Sequence, residues 1–223
     1  MFNKLINKNR WLLLLLYLPV YLIQFFVIDN LKLDHHLIVC GIDSLIPFSE
    51  YFVIPYAFWF IWFPGVVFLF LFFALKGDDE AKKDFIKLCA VMFSSMQISL
   101  IIYLIWPNAI DLREDITADN IFAKAVCLIR LIDTPYGVCP SIHVATIIAE
   151  AFVIKDSKAG FANRTFNAAA YIITAFIMYS TMAVKQHSIV DVVLGAALAA
   201  ALYYLYLIIY RRFYSDREIK TYE

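Results

Sequence analysis

The sequence predicts an all-α, polytopic membrane protein, a bundle of six transmembrane helices forming one domain over residues 1–223. Composition is the first observation behind that reading. Hydrophobic residues make up 63% of the chain and the mean hydropathy is +0.74, whereas soluble domains run near ~45–50% apolar. A soluble domain of this length has no interior large enough for so much apolar surface. The second observation is spacing: helix-length apolar runs are separated by short charged turns such as Lys76-Gly77-Asp78-Asp79-Glu80 and Lys155-Asp156-Ser157-Lys158. The third is the placement of positive charge. Of 19 lysines and arginines, 14 fall on one side of this layout, Lys4, Lys8, Arg217 and Lys220 among them. The other side holds Lys32, Arg113, Lys124, Arg130 and Lys185. The positive-inside rule assigns the richer side, with both termini, to the cytoplasm. Zero net charge without a basic tail argues against nucleic acid as a partner. Abundant Phe, Ile and Lys with few Gly fit a bacterial cell membrane.

The elements follow in order. After Lys4, Lys8 and Arg10, the first span covers 11–28, with Pro19 expected to kink it. A secretory signal has a shorter apolar core and a small-residue cleavage site; Asp29-Asn30-Leu31-Lys32 follows here, so the span reads as retained. Residues 29–50 form an external connection, with Asp43-Ser44-Leu45-Ile46-Pro47-Phe48 expected to re-enter the interface. The adjacent His35 and His36 point apart, which favours a solvated loop over a metal site. Spans follow at 51–75, containing Pro55 and Pro64, and at 85–106. The long external connection 107–139 is expected to carry an interfacial helix over 121–132. The fourth span, 141–154, is short for a ~30 Å bilayer core at ~1.5 Å per residue, so its first turn is expected to lie recessed. Spans at 166–184 and 188–210 complete the bundle. The four cysteines fit neither a disulfide scaffold nor a Cys-x-x-Cys knuckle. Cys127 and Cys139 share the external side, where a disulfide between them stays open.

Two of the four histidines stand where a connection runs into an apolar helix. Helix starts present free amides and the positive end of the helix dipole, both suited to phosphate. His187 and Asp191 lie at i and i+4, on one helix face, a spacing that lets a carboxylate fix an imidazole tautomer. An unpaired Asp191 inside an apolar helix costs several kcal/mol, which favours pairing. A purely structural pair is the alternative. Pro140-Ser141-Ile142-His143 offers a second imidazole at another helix start, able to act as acid opposite a nucleophile. Arg113, Lys185, Ser141 and the amides at Ser141 and Ile142 form a candidate phosphate pocket. A snorkelling Lys185 and an ordinary loop charge at Arg113 are the alternatives. A zinc site on Cys139, His143 and His187 is weaker, because Asp191 already accounts for His187. No carboxylate cluster suits magnesium, so neither metal nor cofactor is expected. Glu150, two turns below His143, has no evident partner.

Pro140-Ser141-Ile142-His143, and Ser180 followed by His187 and Asp191, resemble two signature motifs of the type 2 phosphatidic acid phosphatase (PAP2) superfamily. In that family the second motif is Pro-Ser-Gly-His, and the third is Ser-Arg followed after five residues by His and after three more by Asp. Ile142 replaces the glycine and Thr181 the arginine, leaving Lys185 as the substitute charge. The first motif is relaxed: Trp106 stands at its lysine position, and Glu114 rather than proline follows Arg113. Asp133-Thr134-Pro135-Tyr136 looks like a bacterial subgroup and like the related sphingolipid head-group transferases. The resemblance implies a six-helix fold and hydrolysis of a lipid phosphate at the external face. It makes His187 the nucleophile, Asp191 its orienting carboxylate and His143 the acid and then the base. Arg113, Lys185 and Ser141 would hold the phosphate. A head-group transferase using the same phosphohistidine, and a non-catalytic protein of the same fold, remain alternatives. A channel or transporter is disfavoured, since no inverted repeat is present.

Overall fold

The computed structural model describes residues 10–31 and 33–212, so the orientation assigned to Lys4, Lys8, Lys32, Arg217 and Lys220 lies outside the described residues. Helices dominate. A 3-10 turn, Arg10–Leu16, runs into α1 (Tyr17–Asp29). Short 3-10 turns at Gly41–Leu45 and Glu50–Phe52 lead to α2 (Val53–Leu75), followed by α3 (Asp79–Ile105), α4 (Ile121–Ile132) and α5 (Ile142–Asp156). The chain continues through α6 (Arg164–Ala183) and α7 (Ile189–Tyr210). One two-residue parallel pair joins β1 (His36–Leu37) to β2 (Asn108–Ala109). It places His36 against the Trp106 ring and His35 against Tyr136, so the two histidines diverge.

Among the described residues, five stretches are long and apolar enough to cross a membrane: Arg10–Asp29, Glu50–Leu75, Asp79–Ile105, Arg164–Ala183 and Ile189–Tyr210. The sixth expected span is α5, and its 15 residues rise only about 22 Å. It is short because it is central. α3, α6 and α7 pack around it and α2 touches it, so most of its residues are buried. α3 begins six residues earlier than the expected 85, because the Asp78 carboxylate caps it by accepting the Ala81 amide at 2.9 Å. The interfacial helix 121–132 has the expected bounds, capped by Asn120 Oδ1. Pro19 falls in the first turn of α1, where its missing amide costs least, rather than at a mid-helix kink. Pro64 lies inside α2.

Hydrogen bonds collect the connections at the two ends of the bundle. At one end the Thr134 hydroxyl donates to Asp29 at 2.5 Å, Ser49 N to the Ala183 carbonyl at 3.0 Å, and the Tyr103 hydroxyl to the Pro140 carbonyl at 2.6 Å. At the other, Gly160 N donates to Asp78 at 3.0 Å. All four cysteines are free thiols; Cys127 is exposed while Cys139 is buried, so the open disulfide is not formed.

Candidate active site

The starts of α5 and α7 meet at the first of these ends. Ser141 caps α5, and its hydroxyl accepts the Val144 amide at 3.4 Å. Ser188 caps α7 in a reciprocal box: its hydroxyl accepts the Val190 amide, while Asp191 Oδ2 accepts the Ser188 amide at 2.9 Å. The two caps touch where α7 carries Gly195. A Cβ at that position would stand 2.5 Å from the Ser141 carbonyl oxygen. Glycine therefore sets how closely the helices approach.

That approach joins the residues expected to act together. His187 Nδ1 lies 3.0 Å from Asp191 Oδ2, and His187 Nε2 lies 3.4 Å from His143 Nδ1. Both His187 and Asp191 are buried. His143 Nε2 stands 3.3 Å from the Tyr56 hydroxyl, which itself makes a short hydrogen bond to Asp133. Trp59 covers the His143 ring at a centroid distance of 4.3 Å.

The expected phosphate ligands are placed differently. Lys185 is buried, and its ammonium donates to the carbonyls of Asp43 (3.0 Å) and Ile46 (2.5 Å), anchoring the Gly41–Leu45 turn. Its backbone turns left-handed, with φ +59°, at the end of α6, and this aims the side chain at that turn. In this structure the ammonium is engaged by those two carbonyls. Ser141 is fully buried, its hydroxyl serves as the cap, and its amide donates to the Asp191 carbonyl at 3.0 Å. Arg113 lies next to Asp133 and Gln186. Its Nη2 donates to the Asp133 carbonyl at 2.6 Å and makes a short bond to Gln186 Oε1. Arg113 Nε and Gln186 Nε2 are buried donors without a hydrogen-bond partner among the described residues. Burial, opposed by Asp133, brings the Arg113 guanidinium below its ordinary value, yet it stays cationic at neutral pH.

Several supporting residues carried no signal in the sequence. Asp43 sits at the start of α7, where its carboxylate accepts the Ser188 hydroxyl at 2.7 Å and the Ile189 amide at 2.8 Å. Burial alone would raise this carboxyl, but the amides of Cys40 and Ile189 and the Ser188 hydroxyl outweigh it and hold the group below its usual range. The segment expected to re-enter the interface is thus a turn pinned to α7. Asn108 staples the approach to Pro140. Its Oδ1 accepts the Val138 and Cys139 amides (2.9 and 2.8 Å) and its Nδ2 donates to the Cys139 carbonyl at 3.0 Å. Burial, with Asp191 nearby, pushes the Cys139 thiol up to about 12, which keeps it protonated at neutral pH. Glu150 stays apart from the site, fully buried on α5 with Trp62 as its polar neighbour.

A cavity of about 370 Å³ opens on the histidines. His143, His187 and Asp133 form its polar end; Leu22 and Phe26 of α1 and Phe60 and Phe63 of α2 line its apolar length. α1 leans on α3, so this apolar length lies between α1 and α2 at the margin of the bundle. No family model matches the chain, and no match is found among curated proteins or solved structures.

Proposed function

We propose that the protein is a lipid phosphate phosphohydrolase of the PAP2 type, acting through a phosphohistidine on His187. The observation that carries this reading is the imidazole pair. The His143 ring on α5 and the His187 ring in the connection before α7 meet at 3.4 Å, and His187 is held by a carboxylate through its far nitrogen at 3.0 Å. With Nδ1–H directed to Asp191, His187 Nε2 presents a lone pair to a phosphorus, and Asp191 balances the charge once the phosphoryl group is attached. His143 protonates the leaving oxygen, then takes a proton from the water that releases phosphate. Because 3.4 Å is one hydrogen-bond length, the His143 ring turns aside as the phosphate enters from the cavity. Arg113 Nε and Gln186 Nε2 are the donors with free capacity for the non-bridging oxygens.

The apolar cavity supports a lipid substrate, whose chain lies between α1 and α2 while its phosphate reaches the histidines. In this reading α5 counts as the sixth helix of the membrane bundle. The positive-inside rule puts the histidine end on the external face of a bacterial cell membrane and both termini in the cytoplasm.

The test is phosphate release by detergent-purified protein from a panel of lipid monophosphates and isoprenyl pyrophosphates, with chelator present. Release that survives chelator and disappears in His187→Ala is expected. Transfer of the phosphoryl or head group to an added lipid alcohol, in place of water, would identify a transferase instead. Silence in both assays would contradict an enzyme of this class.

A further inference from the structure

The hydrogen bonds around the two histidines form a continuous chain, Asp133–Tyr56–His143–His187–Asp191, with a carboxylate at each end. At one end, Asp133 Oδ2 is the acceptor of the Tyr56 hydroxyl. Tyr56 has a single hydroxyl hydrogen and spends it on Asp133. Its oxygen therefore accepts from His143 Nε2–H across 3.3 Å. At the other end, Asp191 Oδ2 already accepts the Ser188 amide, and His187 Nδ1–H points to the same oxygen. His143 Nδ1 and His187 Nε2 then face each other across 3.4 Å with both ring hydrogens used elsewhere. Two neutral imidazoles would set lone pair against lone pair at that distance. The chain has four junctions, and one neutral tyrosine with two neutral imidazoles supplies three hydrogens. One proton is missing from that count.

We propose that Tyr56 and Asp133 are positioning residues for His143, and that the resting chain holds one added proton on His143 Nδ1, directed at His187 Nε2. Burial of the ring and the neighbouring His187 oppose an added charge there; the hydrogen count and the carboxylates at both ends favour it. Asp133 and Asp191 stand at the two ends of the chain with opposite charge to the added proton, and Trp59 and Phe60 of α2 present their rings to His143. Arg113 is the opposing cation, held at the far end of the chain beside Asp133 and Gln186.

This inference rests on the proposed hydrolysis for its role in turnover. The stored proton is the one the leaving group takes. As the Nε2–P bond of His187 forms and the P–O bond to the lipid breaks, the leaving oxygen keeps the electron pair and receives the Nδ1 proton. Water then gives a proton back to His143 Nδ1 while its oxygen bonds to phosphorus, and the P–N electron pair returns to His187. Each cycle ends with the added proton restored.

The proton can be tested without turnover. The chain has four histidines, few enough for ring nitrogens to be assigned by 15N NMR of labelled protein in micelles, with single histidine variants as markers. At about pH 8, above the ordinary imidazole value of ~6.5, wild-type His143 is expected to carry hydrogen on both nitrogens. In Tyr56→Phe, which lacks the acceptor for Nε2–H, His143 is expected to be neutral at that pH. The basic limb of the kcat/KM profile is expected to move to lower pH and kcat to fall about 10²-fold. If Tyr56→Phe does not fold, Asp133→Asn carries the same test. A neutral wild-type His143 at that pH, or an unchanged His143 in the variant, overturns the inference. A doubly protonated His143 in a protein that turns over no lipid phosphate leaves the proton chain standing and removes the phosphohydrolase reading. Hydrolysis by a protein whose His143 is neutral does the reverse.

Discussion

The backbone amide of Ser141 donates to the carbonyl oxygen of Asp191 at 3.0 Å, and this bond joins the start of α5 to the first turn of α7. His143 lies two residues beyond Ser141 and His187 four before Asp191, so the spacing of these two backbones fixes the spacing of the imidazoles. Gly195 permits it. Its missing Cβ would meet the Ser141 carbonyl at 2.5 Å, and backbone cannot swing away as a side-chain end can. Gly195→Ala is expected to cost about 1–3 kcal/mol through overpacking and to separate the rings. The check is thermal unfolding in detergent beside phosphate release. The loss of activity should exceed the loss of folded protein.

Asp43 supplies a prediction with a defined pH direction. Its carboxyl is held below the usual range in the folded protein, so its stabilising contribution is fully present above the unfolded value of ~3.9. That contribution fades as pH falls through the folded value. Asp43→Asn removes a charged acceptor from the Ile189 amide and the Ser188 hydroxyl, at a cost of roughly 1–3 kcal/mol near neutrality. The stability gap between wild type and variant is expected to stay constant from pH 8 to about pH 5 and to close in more acid solution. Unfolding midpoints measured across that range check it, and a gap that widens in acid contradicts the assignment.

Lys185 separates the anchoring role from the phosphate role. Lys185→Met leaves the carbonyls of Asp43 and Ile46 without their buried donor, an expected loss of about 1–3 kcal/mol. Where the variant remains folded, KM for a lipid phosphate is expected to stay close to that of wild type. A large rise in KM with unchanged unfolding would support the phosphate role.

The candidate site was legible in part, for physical reasons. His187 and Asp191 could be read as a pair from their i, i+4 spacing, although His187 lies in the connection before the Ser188 cap rather than on α7 itself. Ser141 and His143 could be placed at a helix start from local pattern as well. The Tyr56–Asp133 bond bridges 77 positions and the Asp43–Ile189 bond 146, and no local pattern announces such pairs. A lysine two residues from a histidine reads alike in the sequence whether it faces a ligand or a carbonyl. At Lys185 the left-handed backbone decides, and only the fold reveals that. Apolar runs located the long apolar helices but began the third at its hydrophobic edge. The start of α3 lies in the charged turn, where Asp78 caps it. Composition likewise could not reveal that the short α5 is the hub of the bundle rather than one stave among six.

The central claim is that His187 Nε2 accepts a phosphoryl group, and the most direct measurement is to trap it. His143→Gln lacks the base for the second step, so an aryl phosphate, whose leaving group departs without an acid, should phosphorylate the protein and stall there. Intact-mass and peptide analysis under alkaline conditions, where phosphohistidine persists, would read the result. The account predicts one added phosphoryl group on His187, lost in His187→Ala and diminished in Asp191→Asn. Hydrolysis by wild type that leaves no adduct on His143→Gln, and that continues in His187→Ala, would contradict it.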